Sequence, residues 1–432
     1  MRVVLASGVY PPSVGGPSAQ TRLLARELMA RNVAARVLTW GDAAGDAVVD
    51  GVPVRFVRTH GARSMAAKAA VYRRLFGEIR GFLREFAPDV VHTMTSGGPL
   101  SLLTGLAARS LGIPVLSKYT ADASEERVHL ARQGGADSAG PGLRGRVHGA
   151  AVHAAQRLLF RLSARVWTTT PLFARRVGEK FRIRPGRIFL LPNFIDLRPF
   201  AAAAQAVPDR AGDATLRLLT VARLSPIKGV ETCIGALAHL RDLPVVLRIV
   251  GTAAVEAEYV RFLHQRVREL GVEARVDWAG AVPNEHIAAE YAAADVLLQG
   301  SFYEAFGMAL AEAMAAGVPV VATAVGGVPD VVEDGASGIL VPAGDPAAMA
   351  DAVRRLLTDP MLRGRLMAGG RLRAERFGAA GCIDRMVEEY GRMAAERGRA
   401  PSLKADGSAL HAPALGEALL ITPNGRDGGG DS

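Results

Sequence analysis

Glu304 and Glu312, eight residues apart in Ser301-Phe302-Tyr303-Glu304-Ala305-Phe306-Gly307-Met308-Ala309-Leu310-Ala311-Glu312, are the residues of this chain best placed to do chemistry. At about 1.5 Å per helical residue the two carboxylates lie at most roughly 12 Å apart along an axis. That separation can span the sugar and ribose ends of one nucleotide-sugar. Between them, Phe306 and Gly307, followed by Met308 and Ala309, can present free backbone N–H groups at a helix start, whose positive dipole end favours a diphosphate. Glu312 stands among Ala, Leu and Met, where an unpaired charge is costly if buried. A ligand-facing role therefore outweighs that of an ordinary exposed helix residue.

A second constellation is Val221-Ala222-Arg223-Leu224-Ser225-Pro226-Ile227-Lys228-Gly229, which follows a strand and opens a helix. Arg223 and Lys228 beside a helix start make a diphosphate clamp and can neutralise charge developing on a leaving nucleotide. The chain has only five lysines, so Lys228 in this place carries more weight than another arginine would. A third is Tyr10-Pro11-Pro12-Ser13-Val14-Gly15-Gly16-Pro17-Ser18. Gly15 and Gly16 permit close backbone approach to a ligand, and Ser18 can cap the next helix. The loop is not the GxGxxG dinucleotide fingerprint.

These residues need a scaffold that brings strand ends together. The first half alternates β-rich runs with helical ones: Arg2 to Ser7, 18–31, Arg36 to Thr39, Val52 to Val57, 66–86, Val90 to His92, 99–111 and Val115 to Lys118. The pattern restarts at Leu216 to Ala222 and continues through 229–241, Val245 to Val250, 256–270, Arg275 to Ala279, 284–293, Val296 to Leu298, 306–316 and Val318 to Ala322. Such alternation predicts parallel βαβ units. Ligands of open α/β sheets bind outside the strand carboxyl ends. The expectation is two similar α/β domains, 1–196 and 214–379, with an Ala-rich linker at 197–213 and a cleft between them. Helices follow at 346–358, 361–376 and 380–394. The Gly-, Pro- and Ser-rich stretch 396–432 reads as a disordered tail.

Composition sets outer limits. The 432 residues suit two or three domains, and 49% hydrophobic with 22% charged residues excludes wholesale disorder. A net charge of +10 favours anionic partners. Cys233 and Cys382 stand far apart without clustered His, so neither a disulfide framework nor a zinc site is expected. The N-terminal apolar run is too short for a secretory signal, and Phe306 to Val328, the longest apolar stretch, is interrupted by Glu312, Gly317 and Pro319. A cytoplasmic protein without a transmembrane segment is the expectation.

Taken together, the motifs resemble the family 4 retaining glycosyltransferases, whose hallmark is Glu, seven residues, then Glu. The resemblance runs over roughly residues 1–394. It includes Asp89-Val90-Val91-His92, Pro192-Asn193-Phe194-Ile195-Asp196, and Gly326-Gly327-Val328-Pro329-Asp330 with Asp334-Gly335 and Gly338. It implies a GT-B architecture: two Rossmann-like domains, the donor in the second, the acceptor mostly in the first, and a final helix, 380–394, crossing back. By matching positions, Arg223 and Lys228 would hold the donor diphosphate, Glu312 the ribose, Glu304 the transferred sugar, and Gly16 would approach the phosphates. Gly251 and Val282 become base-side candidates by analogy. The resemblance implies a nucleoside diphosphate sugar as donor substrate, with no permanently bound cofactor and no metal.

Many relatives carry a His after the strand at 114–118. Here the run is Lys118-Tyr119-Thr120-Ala121-Asp122, similar to a Lys-x-x-Gly-Asp variant. Asp122 can orient a hydroxyl or cap a helix. Lys118 and His92, both at strand ends, are acceptor-side candidates. No acidic residue occurs from 138 to 178 while seven arginines do, so 143–165 is a candidate for contact with an anionic membrane surface, and a sugar or lipid-linked acceptor of envelope glycan assembly would suit it. Three alternatives remain: a nucleotide-sugar-binding module without turnover, a nucleic-acid-binding protein and a nicotinamide-dependent oxidoreductase. The nucleic-acid reading leaves the acidic pair unexplained and lacks a nucleic-acid module, and the oxidoreductase reading lacks a GxGxxG loop, so no nucleic-acid partner is expected.

Overall fold

Short runs such as Val90–Thr93, Val115–Lys118 and Val320–Thr323 are buried along their whole length, as parallel strands covered by helices on both faces must be. The computed structural model describes residues 1–11, 16–58, 65–119, 143–205, 215–252 and 257–399.

The first domain runs β1 (Arg2–Ala6), α1 (Gly16–Ala30), β2 (Ala34–Trp40), β3 (Gly45–Val49), β4 (Val52–Val57), α2 (Met65–Phe86), β5 (Val90–Thr93), α3 (Pro99–Ser110), β6 (Val115–Lys118), α4 (Leu143–Leu162), β7 (Arg165–Thr168), α5 (Pro171–Phe181) and β8 (Ile188–Leu190). Its sheet has the order β3-β4-β2-β1-β5-β6-β7-β8, parallel except for the β3–β4 hairpin.

The second domain runs α6 (Arg198–Gln205), β9 (Leu216–Val221), α7 (Val230–His239), β10 (Val245–Val250), α8 (Ala257–Glu269), β11 (Val276–Gly280), α9 (Ile287–Ala292), β12 (Val296–Gln299), α10 (Met308–Ala315), β13 (Val320–Thr323), α11 (Val328–Val331), β14 (Ile339–Val341), α12 (Pro346–Thr358) and α13 (Pro360–Glu375). Asp345 and Asp359 cap α12 and α13, each followed by a proline at the first helical position. The order β11-β10-β9-β12-β13-β14 is the doubly wound arrangement, which reverses direction between β9 and β12. Ligands of such sheets sit at that switch point.

The chain crosses between domains twice, at 191–197 and 377–379. The crossings are stitched together by Ile195 N–H to the Phe377 carbonyl (2.8 Å) and Ala379 N–H to the Ile195 carbonyl (2.9 Å). After the second crossing, α14 (Ala379–Arg399) lays Ile383, Met386, Tyr390 and Met393 into the first-domain core with Val3, Leu5 and Leu24. The returning helix expected at 380–394 is therefore present.

Two expectations are corrected. The stretch 197–213 is not linker throughout, because it begins with α6, whose Phe200 is 7% exposed and packs on Tyr291 in the second domain. The tail does not begin at 396, since α14 extends to Arg399. Residues 400–432 lie outside the described residues.

Candidate donor site at the switch point

Lys228 ends a 3-10 turn (Pro226–Lys228) between β9 and α7, and Glu304 lies in the loop between β12 and α10. Gly229 and Gly300 bring these two loops into backbone contact. Gly229 has φ 55°, and a Cβ there would lie 2.1 Å from the Gly300 carbonyl oxygen. Phe302 N–H also donates to the Ile227 carbonyl (2.8 Å). The result is an ion pair, Lys228 Nζ to Glu304 Oε2 at 2.6 Å, with the side chains 24% and 14% exposed. Gln299 Nε2 (3.4 Å) supports the same carboxylate oxygen, and the Ala305 N–H (3.2 Å) supports the other.

Behind Glu304 the Gly326-Gly327 turn packs on its backbone. Gly327 N–H donates to the Glu304 carbonyl (2.9 Å), and a Cβ on Gly326 would lie 2.0 Å from that oxygen. Only glycine fits there, which fixes the height of the loop over the strand end.

Helix α10 begins at Met308 with Gly307 as its N-cap at φ 90°. Among the described residues, the N–H groups of Phe306, Gly307, Met308 and Ala309 have no backbone or side-chain acceptor. They are the orphan donors of a helix start and form an anion-binding edge. The Phe306 side chain plays another part: it is 2% exposed and packs edge-on against Phe377.

One turn further, Glu312 Oε2 accepts from Tyr291 Oη at 2.7 Å. Burial raises the Glu312 pKa to about 7, with the Tyr291 hydrogen bond pulling the other way. Nothing local in the sequence marks Tyr291, which sits 21 residues upstream. Gln299 carries a weak signal, as the polar end of the buried strand Val-Leu-Leu-Gln.

Arg223 is exposed just beyond β9. Gly251, at the end of β10, holds the neighbouring loop, since a Cβ there would lie 1.9 Å from the Ala222 carbonyl oxygen. Val282 is partly buried against the core next to α10. In the first domain, Gly16 opens α1, and a Cβ added there would meet no atom within 4 Å. Gln20, on the same helix, donates from Nε2 to the Phe194 carbonyl and reaches Met308 Sδ (3.9 Å). It joins α1, the crossing and α10 of the second domain, a role that sequence reasoning missed. Gly15 and Asp122 lie outside the described residues.

His92 and Lys118 are corrected as acceptor contacts. His92 is fully buried with Nδ1 2.6 Å from Tyr390 Oη on α14. Lys118 is 4% exposed, donates to Asn193 Oδ1 (2.7 Å) and stands 3.9 Å over the Trp167 ring. Burial lowers the Lys118 pKa to about 7 and drops His92 well below the ordinary histidine range, helped by Lys118. Strand alternation places both on the face covered by α14, so they brace the domain crossing rather than line the cleft.

No group of three or more His, Cys, Asp or Glu suited to a metal ion occurs among the described residues. No helix among them is long and apolar enough to cross a membrane. In the C-terminal half of α4, Ala155, Leu159 and Phe160 are buried in the core.

Comparison with known proteins bears on the family and the fold. The family model of the glycosyl transferase 4-like domain matches residues 15–193, and that of glycosyl transferases group 1 matches 210–373. A D-inositol 3-phosphate glycosyltransferase of Xylanimonas cellulosilytica is 38% identical over 214 residues, 47% of this chain and 51% of that protein. Over this match the chain spans about half the relative's length. One of the same name from Stackebrandtia nassauensis is 29% identical over 416 residues, 90% of each. The fold is similar to that of Anabaena HepE, solved in complex with UDP, with a TM-score of 0.71 and 19% identity over 91% of this chain and all of the other. The architecture is GT-B, and with both domains matched in chain order the protein belongs to the family 4 glycosyltransferases.

Proposed function

We propose that this protein transfers a sugar from a nucleoside diphosphate sugar to an acceptor hydroxyl with retention of anomeric configuration. The observation that carries the reading is the meeting of Lys228, Glu304, Glu312 and the open N–H edge of α10 at the β9/β12 switch point. In the unliganded arrangement Lys228 is paired with Glu304. A donor diphosphate competes for Lys228 and, with Arg223 and the α10 N–H groups, takes it over. Glu304 is then free to accept hydrogen bonds from the sugar. Glu312 takes the ribose hydroxyls.

In the chemical step the bond between the sugar C1 and the diphosphate oxygen breaks and the acceptor oxygen bonds C1. Its proton passes to the departing diphosphate, whose growing charge faces Lys228 and Arg223.

A phosphorylated small acceptor is favoured by the activity for which the relatives are named and by the +10 charge. A lipid-linked or polysaccharide acceptor, and contact with an anionic membrane through 143–165, have less support. With Ala155, Leu159 and Phe160 of α4 buried in the core, such contact rests chiefly on the arginines and is screened by salt.

The test is calorimetric titration with UDP, GDP, ADP and TDP on wild type and Arg223→Ala. One nucleotide is expected to bind selectively, UDP being the first candidate from the HepE complex, with affinity about tenfold lower in the variant, as for loss of one charge-assisted contact. Absence of binding by every nucleotide to the wild type contradicts the reading.

A further inference from the structure

The two loops that carry Lys228 and Glu304 are also the loops by which the second domain grips the first. Ile227, immediately before Lys228, and Tyr303, immediately before Glu304, are 3% and 4% exposed. Both belong to a cluster whose other buried members come from the first domain, around Tyr119, Phe160 and Phe173, with Ala305 of the second domain at its edge. The Tyr303 ring meets Phe173 edge to face, with centroids 6.2 Å apart and planes at 82°. Phe173 in turn contacts Tyr119 at 5.9 Å.

A polar contact lies beside this apolar one. Phe173 sits in the first turn of α5, where Thr170 caps the helix by accepting from Phe173 N–H. The next orphan donor, Leu172 N–H, is taken across the interface by Asp330 Oδ2 at 3.2 Å, a carboxylate from α11 placed at the positive end of a first-domain helix. Between the two contacts Gly327 is pressed flat: a Cβ there would lie 2.2 Å from the Ala305 carbonyl oxygen and 3.0 Å from Thr170 Cγ2.

From this adjacency, and resting on the donor-site reading above, we propose that Tyr303 and Ile227 are positioning residues. Their seating in the first-domain cluster around Phe173 sets Glu304 and Lys228 in register for transfer, so that docking of α5 on the 303–330 region is a condition of turnover. A nucleotide held by the second domain binds without this contact. The transferring sugar and acceptor need it. Separation of the domains pulls Tyr303 and Ile227 out of the cluster and releases the one-residue tethers that hold the ion pair in place.

The probe is Phe173→Ala in the full chain, because Phe173 takes no part in the hydrogen bonds and ion pair that hold Lys228 and Glu304. Three readouts are taken on the same preparation: turnover, nucleotide affinity by calorimetry, and small-angle scattering. The expected result is a fall in kcat of tenfold or more, UDP affinity within about threefold of wild type, and a larger radius of gyration. Tyr303→Phe, which keeps the ring, is expected to retain most of the turnover that Tyr303→Ala loses.

Asp330→Asn serves as a second variant should Phe173→Ala fail to fold, since it opens no cavity. It removes a charge from the α5 helix start and is expected to lower kcat two- to fivefold with nucleotide affinity unchanged. Turnover within twofold of wild type in the folded Phe173→Ala variant, or a loss of kcat matched by an equal loss of nucleotide affinity with unchanged scattering, overturns the proposal. Were the wild type to bind no nucleotide, the donor-site reading fails, and the scattering comparison still decides whether Phe173 holds the domains together.

Discussion

Lys228→Ala is expected to lower kcat/KM for sugar transfer by about 10²–10³-fold, the usual cost of removing one preorganised group that faces developing charge. Two effects add. The diphosphate loses a cation that sits 2.6 Å from Glu304 and is therefore already held at the donor loop. Glu304, only 14% exposed, is left as a partly buried carboxylate facing an anionic ligand with no intervening cation, which weakens donor binding further. Lys228→Arg should recover only part of the loss. The planar guanidinium cannot occupy the point position of the ammonium between carboxylate and phosphate. Initial rates from released nucleotide measure this, and an alanine variant within threefold of wild type would show that Lys228 is structural.

The second large effect concerns Glu312, whose pKa burial raises to about 7. Ribose hydroxyls donate to the ionised carboxylate, so nucleotide affinity should rise with pH and level off above about pH 7, changing up to tenfold per pH unit below it. Glu312→Gln is expected to cost about 10–100-fold in nucleotide affinity and to abolish that pH dependence.

Stability moves the opposite way. A folded-state pKa above the unfolded value means that the protonated form is the favoured one. Its contribution is complete below about pH 4.5 and is lost as the pH rises through 7. The glutamine variant should therefore match the wild type in Tm near pH 4.5 and melt a few degrees higher at pH 8. Calorimetry from pH 5.5 to 8.5, with melts at pH 4.5 and 8, checks both signs. An unchanged pH profile in Glu312→Gln would remove Glu312 from the ribose site.

Much of this arrangement is legible in the sequence because parallel strands and their following loops are local features. Val115 to Lys118 is legible to the residue, and the 304–312 segment falls at the end of β12 as expected. Where the sequence misleads, the cause is long-range. The sequence places His92 and Lys118 at strand ends, but neither the β5–β6 register that puts them on one face nor the cover of α14 over that face. The partner of His92 is Tyr390, 298 residues away. The Ala-rich start of α6 lacks a helical apolar stripe apart from Phe200, and its helicity is stabilised by packing on Tyr291. Strands β3, β7, β8 and β14 escape the sequence pattern. Each is short, and β3 is almost wholly exposed, so neither length nor an apolar run announces it. Tyr303 reads as part of the glutamate motif; that its ring belongs to the other domain's core follows only from the three-dimensional packing.

The central claim is transfer of a sugar from a nucleoside diphosphate donor at the Lys228/Glu304/Glu312 site. It is tested most directly by incubating the wild type with UDP-glucose and UDP-N-acetylglucosamine in the presence of an inositol phosphate or sugar phosphate acceptor, and following the anomeric proton by NMR. A new glycoside with the donor's anomeric configuration is expected, appearing in step with free UDP and absent in Glu304→Ala. A protein that binds the nucleotide tightly but forms no glycoside with either donor, or one whose product has the inverted configuration, would contradict it.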